Sequence, residues 1–313
     1  ATRGIGKGIA IALAQSGITV YITGRSSTAD NTTDPISGNL ATTQADIEKA
    51  GGNCIPCQVD HSNDSQEQQL FDRIKAEQYG QLDILVNNDY GGVRALRTNQ
   101  GKPFWEADPS LWDACNNVGL RSHYIASRLA AQLMVPRQQG LIITISSWGG
   151  LSPIFGVAYG TGKSACDRLA TEMAQELKPH NITSLALWPG IVGTEHISAF
   201  VDESQNSDDA NPQLDMMATR FNWEPPLFTG RVIAALANAP NPIALTGKLH
   251  IVAELASKYG VVDQEGNRPA SLRSLKFLLP AAIPALQPHT RIVPDLRIPW
   301  WILLLTALSA PKK

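Results

Sequence analysis

Short runs of apolar, β-branched residues alternate along this chain with longer stretches whose apolar positions recur at helical spacing. Leu141–Ile145 (Leu-Ile-Ile-Thr-Ile) reads as a buried strand, as do Thr19–Thr23, the segment through Cys57-Gln58-Val59, Asp83–Val86, Ile182–Leu187 and Ile243–Gly247. Between them, Ile9–Gln15, Gln44–Ala50, Gln66–Tyr79, Ala158–Lys178 and Gly230–Ala239 carry helical patterns, the first two closing at Ser16-Gly17 and Gly51-Gly52. Strands alternating with helices predict an α/β fold on a parallel sheet. Ser26–Leu40 and Gly91–Pro109 are polar, turn-rich loops, and the second is long enough to wall a site.

The strand at Leu141–Ile145 ends in Ser146 and Ser147, at the carboxyl end where open α/β sheets bind ligands. Tyr159 and Lys163 follow at i and i+4, so they share one helix face. An ammonium beside a phenol favours the phenolate, and a nearby serine hydroxyl can hold a substrate carbonyl. Such a set can protonate a carbonyl oxygen while hydride reaches its carbon. At the amino end, Arg3-Gly4-Ile5-Gly6-Lys7-Gly8 opens a helix. Glycines there let backbone amides approach a pyrophosphate.

Composition narrows the partners. At 313 residues and 43 % hydrophobic content the chain can bury a full core. A net charge of −2 argues against nucleic-acid binding. Four cysteines make no disulfide framework at this length and fit a reducing, cytoplasmic setting. Cys54-Ile-Pro-Cys57 has no second pair at zinc spacing, so no metal is expected. No stretch reaches the ~18 apolar residues of a membrane span, and the first residues lack the apolar core of a secretory leader.

Taken in order, these motifs resemble the short-chain dehydrogenase/reductase (SDR) family over residues 1–250, with 251–313 as a carboxy-terminal extension. Ala1–Gly6 matches the latter part of the family's Thr-Gly-x-x-x-Gly-x-Gly, Asp60 its adenine-contacting Asp, and Asn87-Asn88 its Asn-Asn. Ser147, Tyr159 and Lys163 match the catalytic set, and Pro189-Gly190-Ile191-Val192-Gly193-Thr194 matches Pro-Gly-x-x-x-Thr. The resemblance implies a doubly wound, Rossmann-type parallel sheet. It also implies a cofactor site of Arg3, Gly4, Ile5, Gly6, Arg25, Asp60, Asn87, Asn88, Tyr159, Lys163, Pro189, Gly190 and Thr194. The family's first strand would precede Ala1, so the sheet is expected to lack it, leaving a gap between Val20 and Leu85. The strand at Thr19–Thr23 leads into Gly24-Arg25-Ser26 with no acid for ribose hydroxyls, and Arg3 stands in the glycine turn. This favours NADP(H).

The chain also departs from the family. Asp89-Tyr90 stands where a small residue and glycine are usual, and counting from Trp112 puts Gly119 where a fourth catalytic Asn is usual, with Asn116 and Asn117 nearby. Ser147 fits the local pattern, whereas Ser146 fits the usual separation from Tyr159. The lid at Glu195–Phe228, with Met216, Met217, Phe221 and Trp223, suits an apolar substrate. The function expected is NADPH-dependent reduction of lipophilic carbonyls, including steroid-like ketones, with the long Tyr159 helix available for a homodimer. The alternatives are alcohol oxidation with NAD(P), or a weakly active, membrane-associated binding protein. The tail Ile298–Ala310 is too short to span a bilayer. Its Trp pair and closing lysines suit peripheral membrane contact, and docking on the body is the competing reading.

Overall fold

Strands that are apolar on both faces need cover from both sides, and two such strands form the centre of this molecule. The computed structural model describes residues 1–30, 36–204 and 217–308. Strands β3 (Ile84–Asn87), β4 (Gly140–Ile145), β5 (Ile182–Trp188) and β8 (Leu249–Ile251) form a parallel sheet in that order, and every residue of β5 is buried. β1 (Val20–Gly24) pairs in parallel with β2 (Cys54–Gln58), Val20 opposite Cys54. Among the described residues no ladder joins β1 to β3, so the parallel sheet comes in two hydrogen-bonded parts. Val20, Ile84 and Val86 are only partly buried against the central apolar cluster.

Successive residues of β4 serve opposite layers, as a period of two requires. Leu141, Ile143 and Ile145 meet α1 (Gly4–Gln15), α9 (Pro226–Ala237) and α10 (Val252–Tyr259) through Ile9, Leu13, Phe228, Val232 and Leu255. Ile142 faces the other layer, α3 (Asp64–Glu77), α6 (Ser122–Met134) and α7 (Val157–Leu177), through Phe71, Ala130, Met134 and Leu177. Cys54 and Cys57 fall into different clusters on β2. The layer of α1 and α9 depends on two glycines. A Cβ at Gly8 would lie 2.3 Å from the Pro226 carbonyl oxygen, and one at Gly230 would lie 2.4 Å from that of Gly8.

Two segments differ from the pattern-based reading. Ile243–Gly247 is not the last strand: Pro242–Leu245 is a 3-10 turn, and β8 starts after Gly247, whose φ of +72° turns the chain. Proline has no N–H for a ladder and suits a helical first turn. The loop Gly91–Pro109 contains α4 (Val93–Thr98), with Val93, Leu96 and Arg97 on one face. The remaining elements near the site are α2 (Leu40–Lys49), α5 (Ser110–Asn116), α8 (Glu195–Ser204) and the parallel pair β6 (Ile191–Val192) and β7 (Trp223–Glu224).

The carboxy-terminal region is fastened to the body. Val252, Leu255 and Ala256 belong to the central cluster, so the core runs past residue 250. Further on, α11 (Leu275–Ala282) stacks Phe277 on Phe221 at 6.1 Å, and Asn222 exchanges hydrogen bonds with the Ala270 backbone at 2.7 and 3.0 Å. Arg273 pairs with Glu254 at 2.6 and 3.0 Å and lies over Trp300, the first residue of α12 (Trp300–Leu308). Trp300 meets Trp188, which meets Trp148. Among the described residues no helix is long and apolar enough to cross a membrane.

Candidate active site

At the carboxyl end of β4 the two serines take different work. The Ser146 hydroxyl donates to the Lys163 carbonyl at 3.0 Å and ties the strand end to α7. The Ser147 oxygen accepts from the Gly149 amide at 3.1 Å, capping a 3-10 turn at Trp148–Gly150. That contact leaves the Ser147 proton available to a ligand. Lys163 is nearly buried, and its Nζ donates to the Ile145 carbonyl at 3.2 Å. Tyr159, one turn earlier on α7, is held edge-on by Phe155 at 5.2 Å and Tyr90 at 5.8 Å. Gly149 lies against it: a Cβ there would come within 2.5 Å of the Tyr159 ring.

Ser147 and Tyr159 open into a cavity of about 1130 Å³, whose other walls include Ile154, Phe200, Met217 and Phe277. Pro189, Gly190, Thr194 and Ile5 also border it. Leu272, Phe277 and Leu278 come from the carboxy-terminal region, so that region closes one side of the cavity. Of the apolar lid residues expected from sequence, Met217 lines the cavity, while Met216 lies outside the described residues. A smaller hollow of about 270 Å³, at Gln15, Arg231 and Asn238, lies at the far end of α1 from its glycines.

The glycine turn fits a diphosphate. α1 begins at Gly4, whose φ is +53°, and a Cβ at Gly6 would lie 2.8 Å from the Asn88 side-chain amide. The Gly4 amide donates to the Glu195 carboxylate at 2.9 Å. An anion thus sits at the amino end of α1, where exposed amides and the helix dipole favour negative charge. Arg3 reaches the Gly38 carbonyl and His196 at 3.3 and 3.2 Å. Arg25 is exposed at the end of β1, and its charge reaches Asp60. Burial would raise the Asp60 carboxyl, but hydrogen bonds from Ser62 and the Arg25 charge bring it below its ordinary value. Thr194 accepts from the Ile197 amide at 3.3 Å, starting α8. Asn87 turns away from this surface and donates to Ser127 at 2.8 Å, anchoring β3 to α6.

Asp89 has partners the sequence did not reveal. The Ser122 hydroxyl donates to it at 2.7 Å, and buried His123 lies 3.4 Å away. Burial opposes both charges, yet the pair holds Asp89 well below the carboxylate range and pushes His123 up to about 9. Gly119 lies in a kink after α5, with φ +134°, and carries no side chain toward Lys163. Asn116 faces α7 instead, donating to the Ala158 carbonyl at 3.3 Å, while Asn117 is exposed. Tyr90 and Glu195 are the site residues the sequence reading missed. Tyr90 meets Tyr159 and Lys163, and Glu195 meets Gly4, all 69 or more positions away in the chain, so no local spacing signals these contacts.

A model of the family described as short chain dehydrogenase matches residues 1–205. The chain is 41 % identical over 307 residues to mouse "Dehydrogenase/reductase SDR family member 1", covering 97 % of this chain and 94 % of that protein. The human protein of the same name is 40 % identical over the same shares. Among solved structures, a metagenomic short-chain oxidoreductase in complex with NADP superposes with a TM-score of 0.58 at 25 % identity, covering 80 % of this chain and 91 % of that one.

Proposed function

The chain belongs to the short chain dehydrogenase family, and from that premise we propose that it reduces carbonyls of lipophilic small molecules to alcohols, with NADPH as cofactor. The observation that carries this reading is that Ser147 and Tyr159 both line a large cavity with mostly apolar walls, with Lys163 buried one turn after Tyr159 on α7. The cofactor, when bound, supplies the hydride. The Tyr159 hydroxyl gives its proton to the carbonyl oxygen. The Ser147 hydroxyl donates to the same oxygen, its own lone pair already engaged by the Gly149 amide. Lys163 holds the cofactor's ribose, and its charge stabilises the phenolate left on Tyr159.

Gly4 and Gly6 at the start of α1, with Ile5, Asn88, Pro189, Gly190 and Thr194 around it, would hold the diphosphate and nicotinamide portions. Asn87 supports that surface from behind, and Asp60 serves the adenosine end. Arg3 in the glycine turn and exposed Arg25 after β1 support a phosphate on the adenosine ribose, hence NADPH over NADH. The enzyme pairs as a homodimer along the half-exposed outer face of α7. The same reading includes peripheral membrane contact through α12, on which Trp301 and Leu304 are exposed while Trp300 is docked. Residues 309–313 of that tail lie outside the described residues.

The test is NADPH and NADH consumption over a panel of lipophilic ketones, by the full chain and by Tyr159→Phe. NADPH-dependent turnover that falls ~10²–10⁴-fold in the variant, with cofactor binding retained, is expected for loss of a general acid. Turnover that survives in Tyr159→Phe, or a preference for NADH, overturns the assignment.

A further inference from the structure

Tyr90 follows β3 and points its ring into the space between α7 and the kink at Gly119. A Cβ on Gly119 would lie 2.7 Å from Cδ2 of this ring, so ring and side chain cannot both occupy that space. The phenol end fills a second tight place: a Cβ on Gly92 would meet the Tyr90 oxygen at 2.5 Å and Cys115 Sγ at 2.9 Å. Burial, with Cys115 beside it, pushes the phenol above its ordinary value and keeps it neutral. The loop is held on both sides. The Gly91 amide donates to the Val118 carbonyl at 3.0 Å, and Asp89 is fixed by Ser122 and His123.

The ring so placed meets both members of the Tyr159–Lys163 pair. Lys163 Nζ lies 5.1 Å from its centroid, within cation–π reach, with the Ile145 carbonyl as its hydrogen-bond acceptor. Tyr159 stands edge-on to it, 5.8 Å between centroids at 89°. We propose that Tyr90 is a positioning residue of the active site: its ring holds the Lys163 ammonium and backs Tyr159, in the space that glycine at position 119 leaves open. A neutral aromatic face can do this where a second cation would repel the ammonium and an aliphatic side chain would leave it with the Ile145 carbonyl but no partner on the ring side. The proposal rests on the reading that Tyr159 and Lys163 serve hydride transfer.

The experiment compares Tyr90→Phe with Tyr90→Leu in the full chain. Both keep apolar bulk, but only Phe keeps the ring. Phe is expected to stay within about 3-fold of the parent in kcat and in NADPH affinity. Leu is expected to lose about 2- to 30-fold in both, the range a cation–π contact supplies, with little change in KM for the ketone. In NADPH binding, Tyr90→Leu and Lys163→Met should be non-additive, because Leu removes nothing once the ammonium is gone. Equal behaviour of Phe and Leu, or additive losses, overturns the proposal. A second measurement needs no variant that might fold poorly. In the unmodified protein labelled at lysine Cε, the Lys163 methylene protons should be shifted upfield by the ring current, and an ordinary lysine shift overturns the contact. That signal is independent of turnover, so an active-site assignment that fails in Tyr159→Phe is distinguishable from a Tyr90 contact that is not there.

Discussion

Glu224 carries both carboxylate oxygens into the interior, 1 % exposed, with neither in a hydrogen bond of ordinary geometry among the described residues and the Gly190 backbone beside them. Burial pushes its carboxyl up to about 7, the Gly190 amide acting weakly the other way. Between about 4.5 and 7 the folded chain therefore holds a proton the unfolded chain releases. Stability from this group is complete below about 4.5 and is lost as pH rises through 7. Glu224→Gln should accordingly be more stable than the parent at pH 8, by ~2–3 kcal/mol, and nearly equal to it at pH 4.5. Urea unfolding at the two pH values checks this, and an equal difference at both would mean the carboxyl is not kept neutral by the fold. Burial of this kind was not legible in the sequence, where Glu224 stands between Trp223 and Pro225 in a stretch read as lid. The placement of Ser147 just after β4, and of Tyr159 and Lys163 one turn apart on α7, was legible because one strand end and one helix turn fix their spacing.

At the scale of elements, α1 and α9 cross in close contact. Gly8 and Gly230 bring backbone against backbone there, where neighbours cannot rotate away. Gly8→Ala should destabilise by at least ~1–3 kcal/mol through overpacking, despite alanine's better helix propensity. Gly51 serves as the comparison: its φ is +79° and no atom lies within 4 Å of a Cβ there, so alanine should bring only local backbone strain. Denaturant midpoints of the two variants decide the matter, and a Gly8→Ala chain as stable as the parent would show that the helices can separate. The strands at the centre were readable because Leu141–Ile145 and Ile182–Leu187 are apolar on both faces. Leu249–Ile251 was not, since Leu-His-Ile is too short and mixed to stand out beside Ile243–Leu245.

For the whole molecule, the carboxy-terminal region is part of the cavity wall as well as part of the fold. Its anchor is Trp300, between Arg273 and Trp188, and Trp188 in turn donates to Asp167 on α7 at 3.0 Å. Trp300→Ala should cost ~1–3 kcal/mol, below the usual range for a fully buried Trp because Trp300 is only partly covered. It should also raise KM for a bulky ketone more than it lowers kcat, because Leu272 and Phe277 wall the cavity beside residues the anchor holds. Steady-state kinetics with small and bulky ketones test it, and equal effects on both would place the tail outside substrate binding. The sequence showed an apolar tail but not its docking, since the partners of Trp300 come from β5 and from the turn before α11.

The amide at the head of α1 is already engaged, by Glu195. On the proposed function, cofactor capture would exchange one anion for another, with the outgoing one tethered to the chain. A tethered competitor lowers apparent affinity by the fraction of time it holds the place, and Glu195→Gln should tighten NADPH binding several-fold in a fluorescence titration. Unchanged affinity would show that the carboxylate leaves at no cost. Glu195 opens α8, and His196, Ile197 and Phe200 of that helix face the cavity, so a displaced carboxylate would bear directly on a wall of the proposed substrate pocket. A single side chain that touches neither reacting atom would then couple the arrival of the two ligands.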